Sequence, residues 1–323
     1  VSISLERANR HVTEQCARLS FSKERKDWPR YLYHATHVDN AIRIVSDGFL
    51  SCRNRVANFH DVANQGALAN YEGSHDYARL YFRPKNGFHL KTEGIKHLAD
   101  NNRADSHMSI PVMFLFDFSR VISRCDAVFS SGNVQRSQEF MNGDAAFDQL
   151  EFNYIYHDSA TDIYNRDHIH NCRMAEVAVI GRIDLDALVG LAFRTKWDME
   201  TFRYKLAQGQ IPCPHRLIVE QLRSSLFLHW GMYLNDISSS ATELKLGFNL
   251  PRNASPDGSY LIDIIQNCRN GVIRRYNNRY MLRDTIVNFI NFNDDSDAVW
   301  EIKIEDVLAF QGNLSNQKSS VFG

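Results

Sequence analysis

The stretch Tyr33–Leu50 restricts the fold more than any other part of the sequence, because it joins a strand end, a turn and a helix with its own start and stop signals. From Val38 the apolar residues fall at Val38, Ala41, Ile42 and Val45, the i, i+3, i+4, i+7 spacing of one buried helical face. Thr36 is placed to act as N-cap, Asp39 stands three residues later in the capping-box position, and Gly48 offers the left-handed residue that closes a helix. His34 precedes this helix on the strand. Unpaired amide N–H groups and the positive dipole end collect at a helix N-terminus, so the mouth beside His34 suits a polar ligand with phosphates. The same residues also describe a plain strand and a surface helix. The functional reading gains weight because two further fragments of the same kind of site follow.

Length and composition set the frame. At 323 residues, 44% hydrophobic and 23% charged, the chain is expected to form a soluble protein of two domains. No run approaches the roughly 18 apolar residues of a spanning helix and no basic-then-apolar leader is present, so no membrane association and a cytoplasmic location are expected. Because the sequence opens at Val1, it is expected to be a trimmed version. The cysteines Cys16, Cys52, Cys125, Cys172, Cys213 and Cys268 form no C-x-x-C pair, which predicts free thiols. A net charge of −1 gives no global attraction to nucleic acid, so any such binding must be local.

Along the chain, residues 4–20 predict an amphipathic helix with Leu5, Ala8, Val12, Cys16 and Leu19 on one face, followed by a charged linker to Arg30 that carries Trp28. Tyr77, Arg79, Tyr81 and Arg83 alternate with Ala78, Leu80 and Phe82, a half-buried strand ended by Pro84 and Lys85. A helical piece at 94–99 precedes a core strand at 110–116. Beyond a strand and turn at 127–133 and a long polar segment, Glu176 interrupts an apolar strand, where a purely structural strand would not carry a carboxylate. In the C-terminal part, helices are predicted over 215–232 and 260–268. There Arg269, Arg274, Arg275, Arg279 and Arg283 interleave with Tyr276 and Tyr280, which suits either single-strand binding or a basic edge strand. Asp167-His168-Ile169-His170 has metal-ligand types without further ligands at a defined spacing, so no metal is expected.

Three fragments thus stand in order: Tyr33-His34-Ala35-Thr36-His37 with Asn40, Ile44 and Gly48; Tyr81-Phe82-Arg83-Pro84-Lys85; and Arg173-Met174-Ala175-Glu176. Together they resemble the ADP-ribosyltransferases and most closely the DarT family of DNA-modifying toxins, over residues 30–205. The Phe129–Asn133 turn is also similar. The resemblance implies an α+β fold with a split β-sheet core and flanking helices. The chain then divides into an N-terminal helix and linker (1–30), a transferase domain (31–207) and an α/β accessory domain of unknown role (208–323). It implies NAD as co-substrate, bound by His34, Ala35, Thr36, Asn40, Gly48 and Tyr81. Glu176 would be the catalytic base, with Arg83 or Lys85 taking the part of the family arginine. Tyr154, Tyr156, Arg166 and Arg173 would grip a single-stranded base in the recognition loop 149–173.

Met174 stands where transferases that modify protein arginine carry a second acid, which favours a nucleobase acceptor. Lys85 stands where relatives that modify thymine carry arginine, which favours guanine. The implied role is a toxin of a toxin–antitoxin or phage-defence system with a macrodomain-type antitoxin. The alternatives are an idle nucleic-acid-binding module of the same fold, or a transferase acting on RNA or protein.

Overall fold

The protein is described by a computed structural model covering residues 2–56, 72–97, 107–137, 139–240, 242–251, 259–281, 286–290, 292 and 297–314. Most of the polar 51–73 stretch, residues 98 and 99 of the predicted helical piece, and Arg283 lie outside the described residues. The first helix, Leu5–Arg18, starts on the Ser4 hydroxyl, which accepts from the Arg7 amide, and buries Ala8 and His11. In place of the helix predicted at 94–99, a short helix covers Gly87–Thr92, started by the Asn86 side chain.

The strands of the first part are β1 (Tyr31–His37), β2 (Phe49–Ser51), β3 (Tyr77–Tyr81), β4 (Pro111–Asp117), β5 (Ala127–Phe129), β6 (Glu176–Ile180), β7 (Arg182–Asp184), β8 (Leu188–Phe193) and β9 (Leu217–Val219). Seven of them form one sheet in the order β5-β6-β3-β1-β4-β8-β9, while β2 and β7 pair separately. β1 pairs with β4 along its length, from Tyr31↔Asp117 to His37↔Pro111, but meets β3 only at Tyr33↔Tyr81. β3 pairs with β6 from Tyr77↔Ile180 to Tyr81↔Glu176. The sheet is therefore split between β1 and β3. The pleat sends Leu32, Leu80, Phe82, Phe114 and Val177 into one core and Tyr33, Ala35, Met113 and Leu115 into a smaller one on the opposite face.

The Val38–Asp47 helix forms as its periodicity requires, burying Val38, Ala41 and Val45, and ends on Gly48 at φ +77°. Its N-cap corrects the sequence expectation. The cap is His37, whose Nδ1 accepts from the Asp39 amide at 3.3 Å, and not Thr36. Pairing with β4 holds the backbone extended as far as His37, so the helix starts one residue later.

Beyond β9 the chain forms β10 (Tyr233–Ser239), β11 (Glu243–Asn249), β12 (Ser259–Asn267), β13 (Ile273–Met281), β14 (Ile286–Ile290), β15 (Val299–Ile304) and β16 (Val307–Asn313). They make two antiparallel sheets, β10-β11-β14 and β13-β12-β15-β16, around a shared core. The helices predicted at 215–232 and 260–268 are not formed. Leu217–Val219 pairs parallel with β8, and Ser224 and His229 adopt φ values of +73° and +57°, which a helix interior excludes. In β12, Tyr260, Ile262, Ile264 and Gln266 are buried at a period of two, and its branched isoleucines favour a strand.

The Lys196–Gln208 helix belongs to both cores: Phe202 and Leu206 pack in the first and Trp197 in the second, edge-on to Phe310. Among the described residues no helix is long and apolar enough to cross a membrane.

Candidate active site

The split places chemistry on β3. Alternation turns Ala78 and Leu80 into the core and sets Arg79 and Tyr81 on the face of Glu176, the register partner of Tyr81. Glu176 is buried to 1% exposure, and its backbone is fixed at both ends by Ser130. The Ser130 hydroxyl accepts from the Glu176 amide at 3.1 Å, and the Ser130 amide donates to the Glu176 carbonyl at 2.9 Å. Its Oε2 lies 3.4 Å from Arg79 Nη1, an ion pair without hydrogen-bond geometry, and accepts no hydrogen bond among the described residues. Burial pushes the Glu176 pKa up, and the adjacent guanidinium pulls it part of the way back. Burial, reinforced by the Glu176 charge, also raises the Tyr81 phenol, which stays a neutral donor.

His34, on β1, lies edge-on to Phe114. Arg79 connects it with Glu176, because the carbonyl of Arg79 lies 3.2 Å from His34 Nδ1 while its guanidinium reaches the carboxylate. Burial lowers the His34 pKa to about 4, so the ring is neutral at pH 7. The carbonyl assigns the proton to Nδ1, leaving Nε2 as an acceptor for a ligand hydroxyl. His89, on the Gly87–Thr92 helix, is 3% exposed. Neither of its ring nitrogens has a hydrogen-bond partner among the described residues, and burial lowers its pKa to about 3, with His34 adding to the effect. Its two nitrogens are thus left able to hydrogen-bond a ligand that reaches them.

Sequence reasoning did not select Arg79 or His89. Arg79 reads as an outward arginine on a half-exposed strand. His89 lies beyond the motif and carries no signal of its own.

Arg83 and Lys85 are held elsewhere. Arg83 donates to Asp158 Oδ1 at 2.6 Å and to the His157 carbonyl, and Lys85 donates to Asp158 Oδ2 at 2.6 Å and to the Ser224 carbonyl. Both cations lie over the Trp28 ring, at 4.8 and 5.2 Å from its centroid. Burial lowers the Arg83 pKa to about 10, against the pull of Asp158. Trp28 is itself buried, with Nε1 donating to the Ser225 carbonyl, so the linker tryptophan is a core residue.

The remaining expected residues divide. Ala35 and Thr36 are buried on β1, and Thr36 Oγ1 accepts from Asn40 Nδ2 at 3.1 Å. Gly48 is exposed and serves the helix end through its positive φ. Tyr154 is half-buried and edge-on to His168, and Arg166 is exposed. Arg173 donates to His157 Nδ1 at 2.6 Å and to the Ser159 carbonyl, bracing the loop. Tyr156 corrects the expectation. It is fully buried, stacked on Phe152, with its hydroxyl 3.1 Å from His11 Nε2, so its ring is not open to a base. In the C-terminal part, Arg275, on the edge strand β13, is clamped by Asp263 at 3.0 and 2.9 Å, and Arg269, ahead of that strand, pairs with Asp297.

A family model described as "DarT: ssDNA thymidine ADP-ribosyltransferase, DarT" matches residues 33–219. No curated protein sequence matches significantly. Among solved structures, Thermus sp. 2.9 DarT in complex with NAD+ is similar at TM-score 0.47 and 18% identity, over 60% of this chain and 96% of that one. The same protein in complex with ADP-ribosylated ssDNA gives 0.49 and 17%, over 60% and 95%. Thermosipho africanus DarTG in complex with ADP-ribose gives 0.44 and 15%, over 65% and 53%.

Proposed function

Because this chain belongs to the DarT family of ssDNA ADP-ribosyltransferases, we propose that it transfers ADP-ribose from NAD to a guanine in single-stranded DNA, with Glu176 as the base. The observation that carries this reading is the buried Glu176 carboxylate at the sheet split, whose Oε2 faces Arg79 at ion-pair distance but accepts no hydrogen bond among the described residues, with Tyr81 beside it. The bond between nicotinamide nitrogen and ribose C1′ breaks, nicotinamide leaves as a neutral molecule, and a base nitrogen forms the new bond to C1′. Glu176 takes the proton released by that nitrogen. A base whose pKa is raised by burial removes a proton more readily than an exposed glutamate. Its negative charge also opposes the positive charge that develops at C1′.

His34 Nε2 and the Thr36 hydroxyl are suited to ribose hydroxyls, and the Ala35 backbone to the carboxamide. Arg79, 26% exposed, is the cation paired with the reacting carboxylate among the described residues and is suited to the diphosphate or to holding Glu176 ionised. Arg83 and Lys85, saturated by Asp158, support the recognition loop in this reading. Guanine rests on Lys85 standing where thymine-modifying relatives carry arginine.

In the cell the protein would be a cytoplasmic toxin, part of a toxin–antitoxin or phage-defence pair, restrained by a macrodomain-type partner. Radiolabelled NAD with oligonucleotides differing in one base tests the reaction. Label on guanine-containing strands alone is the expected result. Label on thymine alone would keep the reaction and overturn the base. A folded protein that labels neither, or labels RNA or protein instead, would overturn the reading.

A further inference from the structure

The recognition segment holds a cluster of ligand types that the transfer reaction does not use. His168 and Cys172 stand four apart on the Arg166–Cys172 helix and therefore share a face. Glu151, just ahead of the Phe152–Ile155 helix, reaches the same spot from the other end of the segment. His168 Nε2 lies 2.8 Å from Glu151 Oε2, Cys172 Sγ lies 3.6 Å from His168 Nε2, and Sγ lies 4.0 Å from Oε2. All three donor atoms fall within 4.8 Å of one another.

We propose that Glu151, His168 and Cys172 form a binding site for a Zn2+ ion that ties the two ends of the recognition segment together. Tetrahedral Zn2+, with Zn–S of about 2.3 Å and Zn–N and Zn–O of about 2.0 Å, requires donor separations of roughly 3.3 to 3.5 Å. The observed triangle meets these to within about half an ångström. Thiolate, imidazole and carboxylate together select a borderline-soft divalent ion over Mg2+ or Ca2+. His168 and Glu151 are half-exposed, so a water can enter as fourth ligand. Sequence spacing does not bring Glu151 to the His168–Cys172 pair, because it lies 17 residues from His168.

On binding, Cys172 gives its proton to solvent, and the His168–Glu151 contact is replaced by two bonds to the metal. Burial and the neighbouring Glu151 push the free thiol up to about 11, an electrostatic setting that a divalent cation reverses. The metal would fix the segment that carries Asp158, the acid on which Arg83 and Lys85 rest. This inference is independent of which base is modified.

The chelator-stripped 323-residue chain, titrated with Co2+ and then Zn2+, tests it. The expected result is one metal per chain, with a thiolate-to-cobalt charge-transfer band that Zn2+ abolishes. Cys172→Ser should lose the band, and His168→Ala should weaken Zn2+ affinity by about tenfold or more. Zn2+ should also raise the melting temperature of the wild type and leave that of Cys172→Ser unchanged. His168 is half-exposed, so its alanine variant folds whatever the fate of Cys172→Ser. No uptake at micromolar metal, or wild-type affinity in both Cys172→Ser and His168→Ala, would overturn the site.

Discussion

Two acid–base clusters flank the end of the same strand, and they are built in opposite ways. In one, Asp158 gives each carboxylate oxygen to a buried cation, Arg83 and Lys85, and an aromatic ring backs both. In the other, Glu176 is the more deeply buried acid, yet its Oε2 has only one partly exposed arginine at 3.4 Å and no hydrogen bond among the described residues. A saturated cluster stabilises a loop, because removing its one acid leaves two buried cations without compensation. An unsaturated one is poised for something from outside the chain. The difference explains how two arginines four residues apart, Arg79 and Arg83, can look alike in sequence and carry separate tasks.

The comparison breaks most visibly at Glu176. Glu176→Gln should cut the rate of DNA labelling from NAD by about 100-fold or more while leaving the urea midpoint close to wild type; a labelling rate within a few-fold of wild type would remove the base from that residue. Asp158→Asn should do the reverse in kind. Stability should fall by about 3–5 kcal/mol, read from urea denaturation, because two buried cations lose their counter-charge.

Arg79→Gln sharpens the first cluster through pH. Arg79 holds the Glu176 pKa below where burial alone would set it. Without it the pKa climbs, less carboxylate is ionised at neutral pH, and the acid limb of kcat/KM should move to higher pH, with activity partly recovered in alkali. The smallest effect belongs to His89→Phe. Removing two unsatisfied buried nitrogens should stabilise the ligand-free protein by about 1 kcal/mol, while KM for NAD rises. An unchanged KM would make His89 a packing residue.

Much of this site was legible because its signals are local. The helix after His34 announced itself by periodicity and Gly48, and Glu176 by being a carboxylate among branched apolar residues. What escaped depended on partners distant in the chain. Lys85 and Arg83 looked like ligand-facing cations because Asp158, 73 and 75 residues further on, lies in a segment with no periodicity. Tyr156 offered the residue type of a stacking platform, and only its packing against Phe152 and His11 reveals a core ring. In the C-terminal part, runs such as Tyr260–Cys268 are apolar enough to satisfy either a helical or a strand period. Strand pairing with β13 and β15 decided between them.

The Lys196–Gln208 helix has a practical corollary. A truncation after residue 207, the natural cut for isolating the transferase half, would strip β9 from the edge of β8 and leave the Trp197 indole facing water. Such a fragment should precipitate for want of its C-terminal neighbour. A gene fragment intended to yield the transferase half alone must therefore either run through the final strands or recast Trp197 and Ile95 as polar residues.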